Sequence, residues 1–527
     1  MSLKNLLQAA ATRIANADIN PILLKEMRQL VRSRIICTGL VLYSMLLFAV
    51  ASVALLVQTD PSDNPASLML GETISKAIFY PLFYVVVAAV PLYIGVRFTL
   101  ERNPKRIDLQ YTTDLTPRQI IDGKHSSAMM LSVMLASVAV PFMVMSYLLR
   151  GMDLRATLLS VAAMVVVSFV ANYLAVAVAA QPLSKAMRIL LLLQFAWAAM
   201  PLSVAAAELP REIEWENTLD KWAIVVILTG IVVIGVMLAR SHAIAVLSPR
   251  SSNRDRRFRL TLIFANILWL GLMIFGSVVD SFRRSGWHRP GHSFNYEFLL
   301  YGWSLPMICV GIGLLLTHCG STLAATRRTL AERSRNRVRR FLQYPLFTGA
   351  PNGIAFSVIF LLAMAAVHCA LLFLAASPSG RGRIVDFLFD EYLVGVAAPL
   401  FLVAVLDFIA VALIIRAAWR TFLQRRVSAK YIPLAVAVAF GLANAIPPIL
   451  SIGEPDIRML PIPLYILSFF RFSEAGAVGD SQLGFFIVAH CAYALILTAA
   501  AVAANARVFR RSWKEHMERP VAAPSAE

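Results

Sequence analysis

His368, Asp407 and His490 each fall inside a run of about twenty apolar residues. A charge held in such a run is costly unless it pairs or faces a wet cavity, so these three are the candidates for a proton or ion relay. Counted along their runs, the two histidines sit at similar depth and Asp407 lies roughly 10 Å deeper at 1.5 Å per residue, so a compact triad is not the natural expectation. His-Cys occurs at His318-Cys319, His368-Cys369 and His490-Cys491. Imidazole and thiolate suit zinc or copper(I), but neighbours on a helix point about 100° apart and cannot readily serve one ion. No metal site is expected; a histidine hydrogen-bonded across helices is the plainer reading.

No catalytic constellation stands out. G-x-S-x-G and H-E-x-x-H are absent, and the acids on the loops are scattered. A P-loop needs G-x-x-x-x-G-K-[ST] to cradle phosphates. The only Gly-Lys pair is Gly123-Lys124, followed by His125 and with Arg118 where the first Gly should stand. The chain is therefore expected to hydrolyse no ATP and to bind no cofactor of its own.

What must position these residues is a set of twelve apolar stretches. They are Ile35 to Val57, Ala77 to Val96, Ala128 to Leu149, Thr157 to Ala180, Ile189 to Ala207, Trp222 to Ala239, Leu260 to Val279, Phe298 to Leu316, Ile354 to Ala376, Tyr392 to Ile415, Tyr431 to Ile452 and Leu483 to Ala503. A helix of about twenty apolar residues crosses the ~30 Å hydrocarbon core. Composition agrees, with 59% hydrophobic and 15% charged residues and a mean hydropathy of +0.70, outside the range of soluble domains. The expected fold is an all-α integral membrane protein of about 12 transmembrane helices in a cell inner (plasma) membrane, with the bilayer itself as a partner.

The net charge of +19 follows from membrane topology and does not point to nucleic acid. With the N-terminus inside, 37 of the 49 Lys and Arg fall on inner segments and 12 on outer loops. This bias predicts cytoplasmic N- and C-termini. Residues 1–34 carry no apolar core and are not read as a signal peptide.

Two inner segments carry more than composition. In the first, Asn20 is placed as an N-cap and Pro21 as the first helical residue, while Leu23, Met27, Leu30 and Val31 share a face opposite Lys25, Arg28, Gln29 and Arg32. That pattern suits a short helix lying in the membrane interface, or only a basic flank. In the second, Thr116, Pro117 and Gln119 start a capped helix behind Leu115. Leu109, Leu115, Ile120 and Ile121 suggest a small apolar surface for a partner, or merely the lead into the next span.

In this order around the first two spans, the two segments resemble the membrane subunit of a type 2 ATP-binding-cassette (ABC) exporter. The elbow helix of that family bears an Asn-Pro and a Lys-Glu-hydrophobic-Arg-Gln pattern, matched by Asn20, Pro21, Lys25, Glu26, Arg28 and Gln29. Its coupling segment often reads Leu-Thr-Pro-Arg-Gln-Ile-Ile-x-Gly-Lys, matched by Leu115, Thr116, Pro117, Arg118, Gln119, Ile120, Ile121, Gly123 and Lys124.

The resemblance covers roughly the first 250 residues. It implies a permease subunit, a coupling loop (97–125) that docks on a cytosolic nucleotide-binding ATPase, and ATP bound on that partner subunit. The expected organisation is a cytoplasmic segment with the elbow helix (1–34), a six-helix bundle (35–250), a second six-helix bundle (251–506) and a cytoplasmic tail (507–527). The second bundle is a diverged repeat or an accessory bundle, since its loop TLAATRRTLAERSRNRVRRFLQYP has seven arginines and no Thr-Pro-Arg-Gln element. An ion-coupled secondary transporter and a non-transporting membrane scaffold are the alternatives.

Overall fold

The computed structural model describes residues 20–58, 70–101, 115–148, 154–181, 184–212, 218–249, 252–285, 332–375, 398–423 and 480–518, with the isolated positions 310, 311, 314, 432 and 435. The chain divides into two compact units, Met1–Pro249 and Arg250–Glu527. Every regular element among the described residues is helical.

The first unit opens with the short α1 (Pro21–Val31). Asn20 caps it by accepting a hydrogen bond from the Ile22 amide at 3.0 Å. The chain breaks at Arg32 and Ser33 and enters α2 (Arg34–Gln58). Next come α3 (Leu70–Tyr84), a π turn (Val85–Ala89) and α4 (Val90–Glu101). The long helices α5 (Pro117–Leu148), α6 (Leu154–Ala179), α7 (Lys185–Glu212) and α8 (Thr218–Leu247) complete the unit.

The α3–α4 rod is the centre of this unit, with Ile78, Phe79, Leu82, Phe83 and Val87 wholly removed from solvent. By contrast α2 is peripheral: Val41, Leu42, Met45 and Phe48 stand exposed on it, as on a helix that faces lipid.

The π turn has an identifiable cause. The Val90 amide bonds to the Val85 carbonyl, five residues back; the next bond in that register would come from residue 91 to Val86, and Pro91 has no amide hydrogen. The buried Ser168 hydroxyl of α6 donates to the Val86 carbonyl instead, at 3.4 Å. Ser132 of α5 and Asn172 of α6 lie 3.2 Å from the same Ser168 oxygen. A small polar cluster thus satisfies backbone that lipid could not.

The second unit holds α9 (Arg254–Ser285), the short α10 (Arg337–Gln343) with a 3-10 turn (Tyr344–Leu346), α11 (Ala350–Ala375), α12 (Ala398–Ala418) with a π turn (Trp419–Leu423), and α13 (Asp480–Met517). Segment Arg337–Leu346 meets Ala350–Met364 at 89°. Gly349, at φ 133°, turns the corner in a conformation that only glycine adopts readily.

Arg259 of α9, fully buried, pins this corner by donating to the carbonyls of Pro345 (2.6 Å) and Phe347 (2.7 Å). Arg340 donates to the carbonyls of Met517 (2.8 Å) and Glu518 (2.7 Å), and Arg333 to those of Glu515 and His516. Two cations therefore close the C-terminal end of α13, where the helix dipole favours positive charge.

Among the described residues seven helices are long and apolar enough to cross a membrane, or eight if the bent pair at residues 337–364 is one span. That is compatible with a multi-pass membrane protein. Ten of the twelve expected runs coincide with a described helix. The other two, 298–316 and 431–452, lie almost wholly outside the described residues.

Candidate functional site

The two segments singled out in the sequence meet at one end of the first unit. Thr116 and Gln119 form a reciprocal capping box: the Gln119 amide donates to the Thr116 hydroxyl at 3.3 Å, and the Thr116 amide to Gln119 Oε1 at 2.9 Å. This fixes the first turn of α5 and points the Gln119 carbonyl toward α1. There Asn20 Nδ2 donates to it at 2.7 Å. One asparagine side chain therefore both caps α1 and ties it to α5.

The crossing is tight enough to require glycine. A Cβ on Gly123 would stand 2.8 Å from Ile22 Cβ, 2.9 Å from Ile22 Cγ2 and 3.0 Å from Asn20 Nδ2. Any larger residue must push α1 outward.

Beneath the crossing four charges close on themselves. Lys124 of α5 lies 2.9 Å from Glu26 Oε1 of α1 and 2.7 Å from Glu101 Oε2 of α4, above the Phe98 ring. Arg97 of α4 lies 3.4 Å from Glu26 and 3.2 Å from Glu101, and donates also to the Gln29 side chain. Only 3% of the Glu26 side chain and 8% of the Lys124 side chain reach solvent. Two carboxylates facing two cations leave no net charge, which is what allows the group to be buried.

The opposite face of α5 is fastened to α8. Arg240 donates two hydrogen bonds to Asp122, at 2.8 and 2.6 Å, the Tyr173 hydroxyl of α6 donates a third at 3.3 Å, and Arg118 stands 3.7 Å away. Next along the helix the His125 ring stacks on Tyr173 at 3.6 Å and meets Phe169 edge-on at 4.5 Å. Its two ring nitrogens find no hydrogen-bond partner among the described residues.

The structure thus brings Asn20, Glu26, Gln29, Gln119, Gly123 and Lys124 together, while Pro21, Lys25 and Arg28 stand exposed on α1. Thr116, Arg118 and Gln119 are exposed at the tip, beside the half-buried Leu115 and Pro117. Two expectations are corrected. Ile120 (6% exposed) and Ile121 (0%) belong to the core of the unit and are not offered to a partner, because at these positions α5 turns them toward the bundle. The buried face of α1 is not purely apolar either: Glu26 lies on it beside Leu30, kept there by Lys124.

Leu109 and the rest of 102–114 lie outside the described residues, as do the side chains of His368 (α11), Asp407 (α12) and His490 (α13).

Sequence reasoning missed Arg97, Glu101, Asp122, Tyr173 and Arg240. A signal existed for three of them. Arg97 and Glu101 are an i,i+4 pair just past the apolar run ending at Val96, and Arg240 follows directly on Ala239. It also missed that Asn336 caps α10, accepting from the Val338 amide at 3.0 Å, just as Asn20 caps α1.

The contacts tie α1, α4, α5 and α8 together at one end of the unit. Compared with known protein families, with curated proteins and with solved structures, the chain matches none.

Proposed function

We propose that the chain is the membrane-spanning permease subunit of a type 2 ABC exporter. In this reading it has twelve spans in the inner membrane, both termini lie in the cytoplasm, and a separate cytosolic ATPase binds and hydrolyses the ATP. The observation that carries the reading is the interlock of α1 with the first turns of α5 through Asn20, Gly123 and Lys124. An elbow helix held to a capped helix start, with Thr116, Arg118 and Gln119 left at the surface, is what a subunit needs to receive force from a partner and pass it into its spans.

The docking surface in this reading is narrow: Leu115, Thr116, Arg118 and Gln119. Gly123 and Lys124 act behind it, as the joint to the elbow. Combining Arg118→Glu with Leu115→Asp tests it. Arg118 is 70% exposed and only 3.7 Å from Asp122, so its own ion pair contributes little to stability. The variant is expected to insert and to melt as the parent does, yet to lose co-purification with the ATPase or the stimulation of ATP hydrolysis, since paired losses at an interface centre cost several kcal/mol. Equivalent changes at Arg335 and Arg337 are expected to do less. Unchanged co-purification and unchanged stimulation in the Leu115/Arg118 variant would sink the coupling assignment. If transport instead follows an imposed pH gradient and is abolished by Asp407→Asn, the chain is an ion-coupled carrier.

The charge bias makes the topology testable separately. Reporter fusions after Arg257 and after Arg337 are expected to report cytoplasm, and one placed within residues 208–220 the outside. An external report from the Arg337 fusion would refute the twelve-span arrangement of the second half.

A further inference from the structure

Between α1, the start of α2 and α4 lies a cleft, and the contents of its walls are specific. The cleft is about 830 Å³ in volume, within the ~300–1,000 Å³ usual for small-molecule sites. One wall is the stripe of Ala89 at the end of the π turn and Leu92, Val96 and Leu100 of α4, spaced so that they stand on one face of that rod. The stripe runs about 16 Å along the helix axis at 1.5 Å per residue, from the π turn toward the charged end of the unit. Leu100 is 59% exposed, and Ile35, which faces the stripe from the start of α2, is 73% exposed.

The cleft is also lined by cations. Arg28 in the last turn of α1 and Arg32, its C-terminal cap, are exposed, stand four residues apart, and line the cleft with Arg97. The charge of Arg97 is already answered by Glu26 and Glu101. Neither Arg28 nor Arg32 forms an ion pair with a carboxylate among the described residues, and two like charges at that spacing repel, a cost that an anion between them offsets. A guanidinium pair favours phosphate, which it can hold with several parallel hydrogen bonds.

We infer that this cleft binds one anionic phospholipid of the surrounding leaflet, its phosphate between Arg28 and Arg32 and one acyl chain along the Ala89–Leu100 stripe. The elongated apolar wall decides the ligand class. A free phosphate would use the arginines and leave the apolar stripe unused, whereas an acyl chain covers it in the direction in which chains lie. Because α1 forms one wall and is also joined to the tip of α5, a lipid seated here braces the elbow on its free side. The inference needs only a membrane around the first unit and does not rest on the exporter reading.

The test uses the full chain purified in non-ionic detergent and titrated with dioleoyl phosphatidylglycerol, dioleoyl phosphatidylcholine or inorganic phosphate, with the retained adduct read by native mass spectrometry. One phosphatidylglycerol is expected to be retained preferentially, with no comparable effect of inorganic phosphate. The double change Arg28→Gln and Arg32→Gln is expected to weaken that retention on the order of tenfold or more, as the loss of charge-assisted hydrogen bonds implies, while leaving the lipid-free melting temperature unchanged because both side chains are exposed. Leu92→Asp, which places a charge in the chain's path, is the second variant and is expected to lose the lipid with both arginines intact. Equal retention of phosphatidylcholine, undiminished retention in the arginine variant, or binding of inorganic phosphate alone as tight as that of the lipid would each overturn the inference.

Discussion

Lys124→Met is expected to destabilise the first unit by about 3–5 kcal/mol, the usual result of removing one partner from a buried ion pair. Methionine fills nearly the same space, so the loss is one of charge and not of packing. The single change leaves Glu26 and Glu101 facing each other with Arg97 alone to answer them, and Glu26 is almost entirely buried. The remaining charge cannot be hydrated without moving α1 away from α5. Thermal melting in detergent measures the cost, and a cysteine introduced at Ile22, now packed against Gly123, reports by its labelling rate whether α1 has lifted.

The double variant Lys124→Met with Glu26→Gln restores neutrality between Arg97 and Glu101, so it is expected to be more stable than the single one. Such a rescue is a sign that charge balance, more than the count of hydrogen bonds, holds the joint. A single variant that melts like the parent would refute this account of the clasp.

The joint was legible in the sequence only in halves. Asn20 with Pro21, and Thr116 with Gln119, announce two helix starts because capping is local chemistry: the donors and acceptors lie within three residues. That the two starts bond to each other could not be read, since Asn20 and Gln119 are 99 positions apart. Gly123 illustrates the same limit. In sequence it is the glycine of a Gly-Lys pair; its necessity at the crossing appears only when Ile22 is placed 2.8 Å from where its Cβ would be.

Ile120 and Ile121 failed for a different reason. They lie among polar residues, which suggested a surface, but periodicity on α5 turns them inward once the helix is known to run unbroken from Pro117 to Leu148. Most expected spans coincide with described helices because about twenty consecutive apolar residues have little other choice. The π turn was invisible because its cause is the conjunction of Pro91 with a serine 82 positions from Val86. The right-angled corner before α11 escaped for the same kind of reason: it depends on Gly349 and on Arg259, a residue of another helix.

Cutting the link between Asp122 and Arg240 is expected to separate docking from transmission. Both side chains are about 30% exposed, so the bidentate pair is partly screened and its coupling energy should be about 1–2 kcal/mol, less than a fully buried pair would give. A cycle of Asp122→Asn, Arg240→Gln and the double variant measures that energy from melting, and it isolates the pair because Asn can still accept from Tyr173.

The functional consequence is larger than the energetic one. In the exporter reading, with the exposed tip of α5 intact, the ATPase is expected to co-purify and to be stimulated as before. With α8 no longer fastened to the face of α5 that carries Asp122, however, transport per ATP hydrolysed is expected to fall. This pattern is the reverse of that expected for the Leu115/Arg118 variant, which loses docking first. Loss of co-purification in the Arg240→Gln variant would place Arg240 at the docking surface and not behind it. A coupling energy indistinguishable from zero, together with undiminished transport, would mean that α5 and α8 move independently and that the displacement enters the bundle only through α1 and α4.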